Sequence, residues 1–260
     1  MKEEIFVYFI GTAGSGKSTL TNNFKKWMNL KGLDAITVNL DPGAENLPYD
    51  PDVDIRDWIS LKEVMETYHL GPNGAQIACA DMLALNTEDV KKSIESFKTD
   101  YVLMDTPGQL ELFVFREAGK YIIEFFQPEK TIIGYLLDPS LAKTASGFVS
   151  QILLSLNTNF RLGKPHMNIL SKADMLDDTL LEKIMRWGNS PFELEDAIYN
   201  EQASIYRELS EKILNLVAEF QEQTRLFKTG LLESEKSYGV EDLYTNIQMQ
   251  FKGGEDLTSD

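Results

Sequence analysis

Short runs that are apolar at every position alternate along the chain with longer stretches in which apolar residues recur at helical spacing. Ile5-Phe6-Val7-Tyr8-Phe9-Ile10 is apolar on both faces, as a strand covered on both sides of a sheet must be. Residues 19–30 then take helical spacing and stop at Gly32, and a second strand falls at Ala35-Ile36-Thr37-Val38-Asn39-Leu40. Pro42, Pro48 and Pro51 forbid regular structure through most of 41–54. Helix is predicted over 59–68, a turn at Gly71-Pro72-Asn73-Gly74, and more helix within 76–97. Further strands are predicted at Tyr101-Val102-Leu103-Met104 and over 130–137, 166–170 and 225–231. This alternation predicts an α/β fold, a mostly parallel sheet flanked by helices.

Two helical stripes are predicted to face the core. One is Phe148, Ile152, Leu156 and Phe160; the other is Ile198, Ile205, Leu209, Ile213, Leu216, Val217 and Phe220. Residues 112–126 differ, because Phe113, Phe115, Ile122, Ile123, Phe125 and Phe126 leave little polar face. Such a helix is either deeply buried or part of a subunit interface.

Composition narrows the field. A chain of 260 residues, 43% hydrophobic, suffices for one large α/β domain with an insertion. Its 25 basic and 41 acidic residues give a net charge of −16, which repels a polyanion and argues against nucleic acid as a ligand. Cys79 is the single cysteine, so neither an internal disulfide nor a cysteine metal cluster is expected. No stretch is long and apolar enough to span a bilayer, and the chain enters a strand directly after Met1-Lys2-Glu3-Glu4. No leader and no membrane association are therefore expected, and the cytoplasm is the expected compartment. The end from Gly253 onward reads as a flexible acidic tail.

Directly after the first strand stands Gly11-Thr12-Ala13-Gly14-Ser15-Gly16-Lys17-Ser18, which fits the phosphate-loop pattern between a strand and a helix. Glycines let several backbone N–H groups converge on phosphate oxygens, and the following helix adds its positive end. Ala13, Gly14, Ser15, Gly16, Lys17, Ser18 and Thr19 are the expected phosphate-binding residues. Lys17 reaches the β- and γ-phosphates, Ser18 ligates Mg²⁺, and Thr19 approaches the α-phosphate. A chance glycine-rich turn after a core strand is the plainer alternative, and the strand–loop–helix context argues against it.

Two more motifs follow strands. Asp105-Thr106-Pro107-Gly108-Gln109 leaves an acid at the carboxyl end of a strand, placed to hold Mg²⁺ through its water shell. In Ser171-Lys172-Ala173-Asp174 the carboxylate can accept from guanine N1–H and the exocyclic 2-amino group. Adenine has neither donor, and a buried polar mismatch discriminates strongly. Lys172 would lay its stem over the purine. Taken singly, the first motif could be a helix cap and the second an exposed polar turn; their order, each after a strand, argues against coincidence.

With these motifs the chain resembles a GTPase, a P-loop NTPase with helical insertions. Gly71-Pro72-Asn73, inside an insertion at about 42–98, is similar to the signature of the GPN-loop GTPases. Asn39-Leu40-Asp41-Pro42 also falls where that family has its own version. Ser171 stands where most GTPases carry Asn. The resemblance covers essentially the whole chain as a single domain over 1–252. It implies a homodimer with facing nucleotide sites, in which Gly71, Pro72 and Asn73 of one subunit project toward the phosphates of the other. It also associates the family with RNA polymerase assembly as a possible client.

The expected activity is Mg²⁺-dependent hydrolysis of GTP to GDP and phosphate, coupled to a dimer rearrangement. Asp41 and Gln109 are the candidates for positioning water, with Glu111 a third that reads more simply as a surface residue. Residues Leu232-Glu233-Ser234-Glu235 are a candidate for contacting guanine O6 through a backbone N–H. A P-loop kinase and a non-hydrolysing, nucleotide-stabilised scaffold are the rival classes. A kinase has no need of Ser171-Lys172-Ala173-Asp174, and a scaffold has no need of Asp41, Asp105 and Gln109.

Overall fold

The computed structural model describes residues 4–231 and 237–253, so the tail beyond Gly253 and the 232–235 candidate lie outside the described residues. The sheet has seven strands in the order β3-β2-β4-β1-β5-β6-β7, where the numbers follow the chain. Contacts divide the chain into two compact units, 1–134 with 161–165 and 135–160 with 166–260.

The first unit runs β1 (Ile5–Gly11), α1 (Lys17–Leu30), β2 (Ala35–Asn39), β3 (Val53–Asp54), α2 (Leu61–Tyr68), α3 (Pro72–Met82), α4 (Thr87–Glu95), β4 (Tyr101–Asp105), α5 (Leu110–Phe113) and α6 (Glu117–Phe125), then enters β5 (Thr131–Leu137). β1, β2 and β4 are buried at every position, as their uninterrupted apolar runs require. β4 pairs in parallel with both β1 and β2, and β2 pairs in parallel with β3.

β3 occupies only the last two residues of the proline-rich segment 41–54. Two expectations change here. Gly71-Pro72-Asn73-Gly74 is not a free turn: Gly71 caps α3 and Pro72 is its first residue. The fixed φ of proline and its missing N–H suit a first helical position as well as a turn. The apolar stretch 112–126 is two helices, broken where Arg116 turns extended. Gly119 permits their close approach, since a Cβ there would fall 2.1 Å from the Phe113 carbonyl oxygen. Phe113, Ile122, Ile123 and Phe126 are buried, whereas Phe115 and Tyr121 are exposed.

The second unit continues β5 into α7 (Ala145–Leu162), β6 (His166–Leu170), α8 (Asp178–Asn189), α9 (Pro191–Tyr199), α10 (Ile205–Gln223), β7 (Leu226–Lys228), β8 (Gly230–Leu231), β9 (Ser237–Tyr238) and α11 (Val240–Lys252). β6 and β7 are parallel, and β8 and β9 form a small antiparallel pair. The long apolar stripe expected from Ile198 to Phe220 is divided between α9 and α10, because Ser204 caps α10 by accepting the Arg207 N–H. It is also only partly buried. Ile198, Val217 and Phe220 are in the core, while Ile205, Leu209 and Leu216 are exposed. Phe160, the last member of the other stripe, is 74% exposed.

Candidate functional site

Strand register assembles the phosphate end of the site. Phe9 on β1 and Asn39 on β2 both lie opposite Asp105 on β4. The loops leaving these three strands therefore emerge side by side at the carboxyl edge, where open α/β sheets bind ligands.

The loop after β1 closes through the Ser15 N–H on Thr12 O at 3.1 Å, with Gly14 and Gly16 in left-handed conformation at φ 75° and 94°. Gly16 caps α1, so Lys17 and Ser18 open a helix whose first N–H groups have no acceptor within it. Lys17 is buried, and its ammonium donates to Gly11 O at 3.0 Å, Thr12 O at 3.0 Å and Gly108 O at 3.2 Å. Burial lowers its pKa, and the Asp105 and Asp41 carboxylates oppose that shift. The ammonium is thus held by neutral carbonyls from two loops. Phosphate oxygens, being charged, are stronger acceptors.

Asp105 is 1% exposed, and its Oδ2 accepts the Tyr49 phenol at 2.8 Å. Burial pushes its pKa up to about 6, while the neighbouring Ser18 hydroxyl, Tyr49 and Lys17 pull it down and Asp41 adds to the rise. Its buried Oδ1 has no hydrogen bond of good geometry. Such an oxygen beside a serine hydroxyl suits a hydrated Mg²⁺, which takes few protein ligands and keeps its waters. The donor set is correspondingly sparse: no group of three or more His, Cys, Asp or Glu residues converges among the described residues.

Asp41 follows β2 and joins the same cluster. Its Oδ1 accepts the Gly43 N–H at 2.9 Å and its Oδ2 the Gly108 N–H at 3.0 Å. Lys17, Asp41, Asp105 and Gly108 are therefore brought together. Gln109 is exposed, with its amide 3.5 Å from Gln76 Oε1 on α3. Ala13, Gly14 and Thr19 are exposed as well. Gly71, Pro72 and Asn73 lie exposed at the start of α3, where the Asn73 side chain makes no hydrogen bond among the described residues.

Tyr49, Asp54, Arg56 and Gln76 were not anticipated. Tyr49 had a faint signal, an aromatic residue in a Pro- and Asp-rich stretch with no core periodicity. The others carry none without the register of β2 on β3 and the course of α3.

The second unit carries the base-reading motif after β6. Ser171 is buried, and its hydroxyl donates to Leu137 O at 3.1 Å. Lys172 is left-handed at φ 50°, and the Ala173 N–H bonds to Thr229 O at 2.9 Å. Asp174 is exposed, and its Oδ1 accepts the Leu231 N–H at 3.0 Å. Gly230 lies close beside it: a Cβ there would fall 2.7 Å from Asp174 Oδ1 and 2.5 Å from the Tyr238 hydroxyl, so any larger residue would have to displace those side chains.

A parallel α/β sheet with a glycine-lined loop, a buried lysine and a strand-ending acid at its carboxyl edge defines a P-loop nucleotide-binding protein. Residues 9–253 match a family model described as a conserved hypothetical ATP binding protein. A GPN-loop GTPase 3 of Kluyveromyces lactis is 36% identical over 82% of this chain and 81% of its own length. Another, from Schizosaccharomyces pombe, is 32% identical over 84% and 81%. The crystal structure of a GTPase from Pyrococcus abyssi in its apo form superposes with a TM-score of 0.83 at 29% identity, covering 95% of this chain and 97% of that one. The chain belongs to the GPN-loop GTPases, P-loop GTP hydrolases. Among the described residues no helix is long and apolar enough to cross a membrane.

Proposed function

We propose that this protein hydrolyses GTP to GDP and phosphate with Mg²⁺, as a cytoplasmic homodimer whose GPN segment completes the phosphate site of the opposite subunit. The observation that carries the reading is the cluster of Lys17, Asp41, Asp105 and Gly108 at one strand edge. Mg²⁺, when bound, neutralises phosphate charge, and Ser18 and Asp105 are the residues that would hold it, Asp105 through water. Lys17 leaves its carbonyl acceptors for the β- and γ-phosphates, with the loop N–H groups of 13–19 around them. The Gly108 N–H, now given to Asp41, turns to the γ-phosphate. Asp41 is then free to orient the attacking water, with Gln109 as the second candidate for that role.

Guanine is the proposed base, although the family model's description names ATP. The Asp174 carboxylate suits the two donors on the guanine edge, Lys172 covers the ring, and the curated relatives are named as GTPases. One Asp174 oxygen already receives the Leu231 N–H, so guanine binding must share or displace that bond.

The dimer reading rests on the family and on the geometry of α3. Its N-terminus has no side-chain cap and no acidic residue in the first turn. The Asn73 and Gly74 N–H groups and the positive helix end thus form an exposed anion-binding terminus, with the Asn73 amide beside it. As a nucleotide switch of this kind, the protein would serve as an assembly factor, with RNA polymerase as a candidate client by family likeness.

Turnover of GTP and ATP, with and without Mg²⁺, tests the reading, alongside light scattering for subunit number. Faster Mg²⁺-dependent release of phosphate from GTP by a dimer supports it. ATP preference, or phosphoryl transfer to a small-molecule acceptor, favours a kinase, and intact GTP after prolonged incubation favours a scaffold.

A further inference from the structure

Asp41 is held by a chain of hydrogen bonds that runs through Asn39, on the strand that Asp41 follows, to the neighbouring strand. Asn39, fully buried at the end of β2, accepts the Asp41 N–H on its Oδ1 at 3.0 Å and donates from Nδ2 to Asp41 O at 3.2 Å. The same amide donates to Asp54 Oδ1 at 2.9 Å, across the register in which Asn39 lies opposite Asp54. Asp54 in turn grips Arg56, whose Nε lies 3.0 Å from both carboxylate oxygens and whose Nη2 lies 2.6 Å from Oδ2. Arg56 then returns to the segment that follows Asp41, with Nη1 donating to Ala44 O at 2.8 Å. Between those ends the Ala44 N–H bonds back to Asp41 O at 3.2 Å.

The segment 41–44 is thus fixed at both ends, by Asn39 on the backbone of Asp41 and by Arg56 on the carbonyl of Ala44. The planar guanidinium offers a fixed fork to the two carboxylate oxygens and a further N–H to the carbonyl, whereas an ammonium is a single donor centre without that fork. We propose that Asn39, Asp54 and Arg56 form a positioning relay that sets the Asp41 carboxylate at the distance and angle at which it orients water for hydrolysis. The proposal rests on the reading of Asp41 given above. Asp54 and Arg56 touch neither nucleotide nor water in this role; they act through Asp41. Pre-orientation of this kind contributes to the chemical step and little to nucleotide affinity.

The test is a double-mutant cycle on single-turnover GTP hydrolysis, with GTP affinity and melting temperature measured in parallel. Arg56→Ala should lower the hydrolysis rate at least tenfold and leave GTP affinity within about threefold. In an Asp41→Ala background the same change should alter the residual rate by less than about twofold, because the relay has nothing left to position. Arg56→Lys, which keeps the charge and loses the fork, should show the same split and takes the place of Arg56→Ala if that variant does not fold. An unchanged rate in Arg56→Ala, or an equal fall in both backgrounds, overturns the relay while leaving Asp41 in its role. A wild-type rate in Asp41→Ala overturns both.

Discussion

Asp41 Oδ2 accepts the Gly108 N–H at 3.0 Å across 67 residues of sequence. The contact joins the end of β2 to the loop after β4. In the function proposed here the γ-phosphate would take the same N–H, so Asp41 and the phosphate would compete for one donor and the carboxylate would be released toward water. Replacing Asp41 by Asn should slow single-turnover GTP hydrolysis by roughly 10²- to 10⁴-fold, the usual range for a lost general base. GTP affinity should stay within a few fold. An effect on rate below about threefold would remove Asp41 from the reaction.

Lys17 and Asp105 should separate by their metal dependence. Lys17 is held by three carbonyls and is the proposed phosphate-binding cation, so Lys17→Ala should weaken GTP binding on the order of 100-fold, with or without Mg²⁺. Asp105→Ala removes the buried acid beside Ser18, so its cost should fall on Mg²⁺-dependent hydrolysis, with metal-free affinity close to wild type. Titrating a fluorescent GTP analogue in EDTA and in Mg²⁺ reads both. Wild-type affinity in Lys17→Ala would contradict the phosphate-loop assignment.

For the base, Asp174→Asn should move preference from GTP toward XTP, whose C2 carbonyl accepts what an amide donates. The measurement is the ratio of the two affinities. The Leu231 N–H also rests on Asp174, and the Asn amide oxygen can still accept it, so the melting temperature should change little, the bond losing only its charge. An unchanged ratio would mean that Asp174 serves only the β8–β9 pair.

What could be read from the sequence follows from how locally each feature is encoded. The phosphate loop lies within eight consecutive residues and β1, β2 and β4 are apolar runs, so their positions follow from pattern alone. Gly71-Pro72-Asn73-Gly74 reads as a turn because proline suits both a turn and the first residue of a helix, and only the acceptance of the Ala75 N–H by Gly71 O distinguishes them. α8 and α11 are amphipathic helices rich in charge, and neither was expected from its apolar spacing. The break between α9 and α10 depends on a serine cap, which a hydrophobic stripe does not register. Tyr49 on Asp105 and Arg56 on Asp54 depend on the path of a proline-rich segment, which periodicity does not describe.

His166 makes the second unit sensitive to acid. It is buried, its Nε2 pairs with the Ser155 hydroxyl at 2.7 Å, and burial lowers its pKa to about 3. The unfolded chain, with an ordinary histidine near 6.5, binds more protons than the folded one between those values. Stability from this group is therefore complete above about pH 6.5 and falls as the pH drops toward 3, by roughly 2 kcal/mol at pH 5. His166→Gln should flatten that part of a urea-denaturation profile between pH 7 and 5, whatever its effect at pH 7. An unchanged slope would show that His166 does not titrate on unfolding.

The most direct test of two chains building one hydrolytic site is complementation between Asn73→Ala and Lys17→Ala. Asn73→Ala alone should keep GTP affinity within a few fold and lose roughly a hundredfold or more in rate, about 2.7–4 kcal/mol for one well-aimed donor. Lys17→Ala alone should bind GTP on the order of 100-fold more weakly and be inactive at GTP levels that saturate the wild type. In a mixed dimer the intact phosphate loop lies on the Asn73→Ala chain and the intact Asn73 on its partner, so hydrolysis should recover on mixing. A mixture as inactive as either variant, with subunit exchange demonstrated, would contradict the shared site and return Asn73 to its own chain.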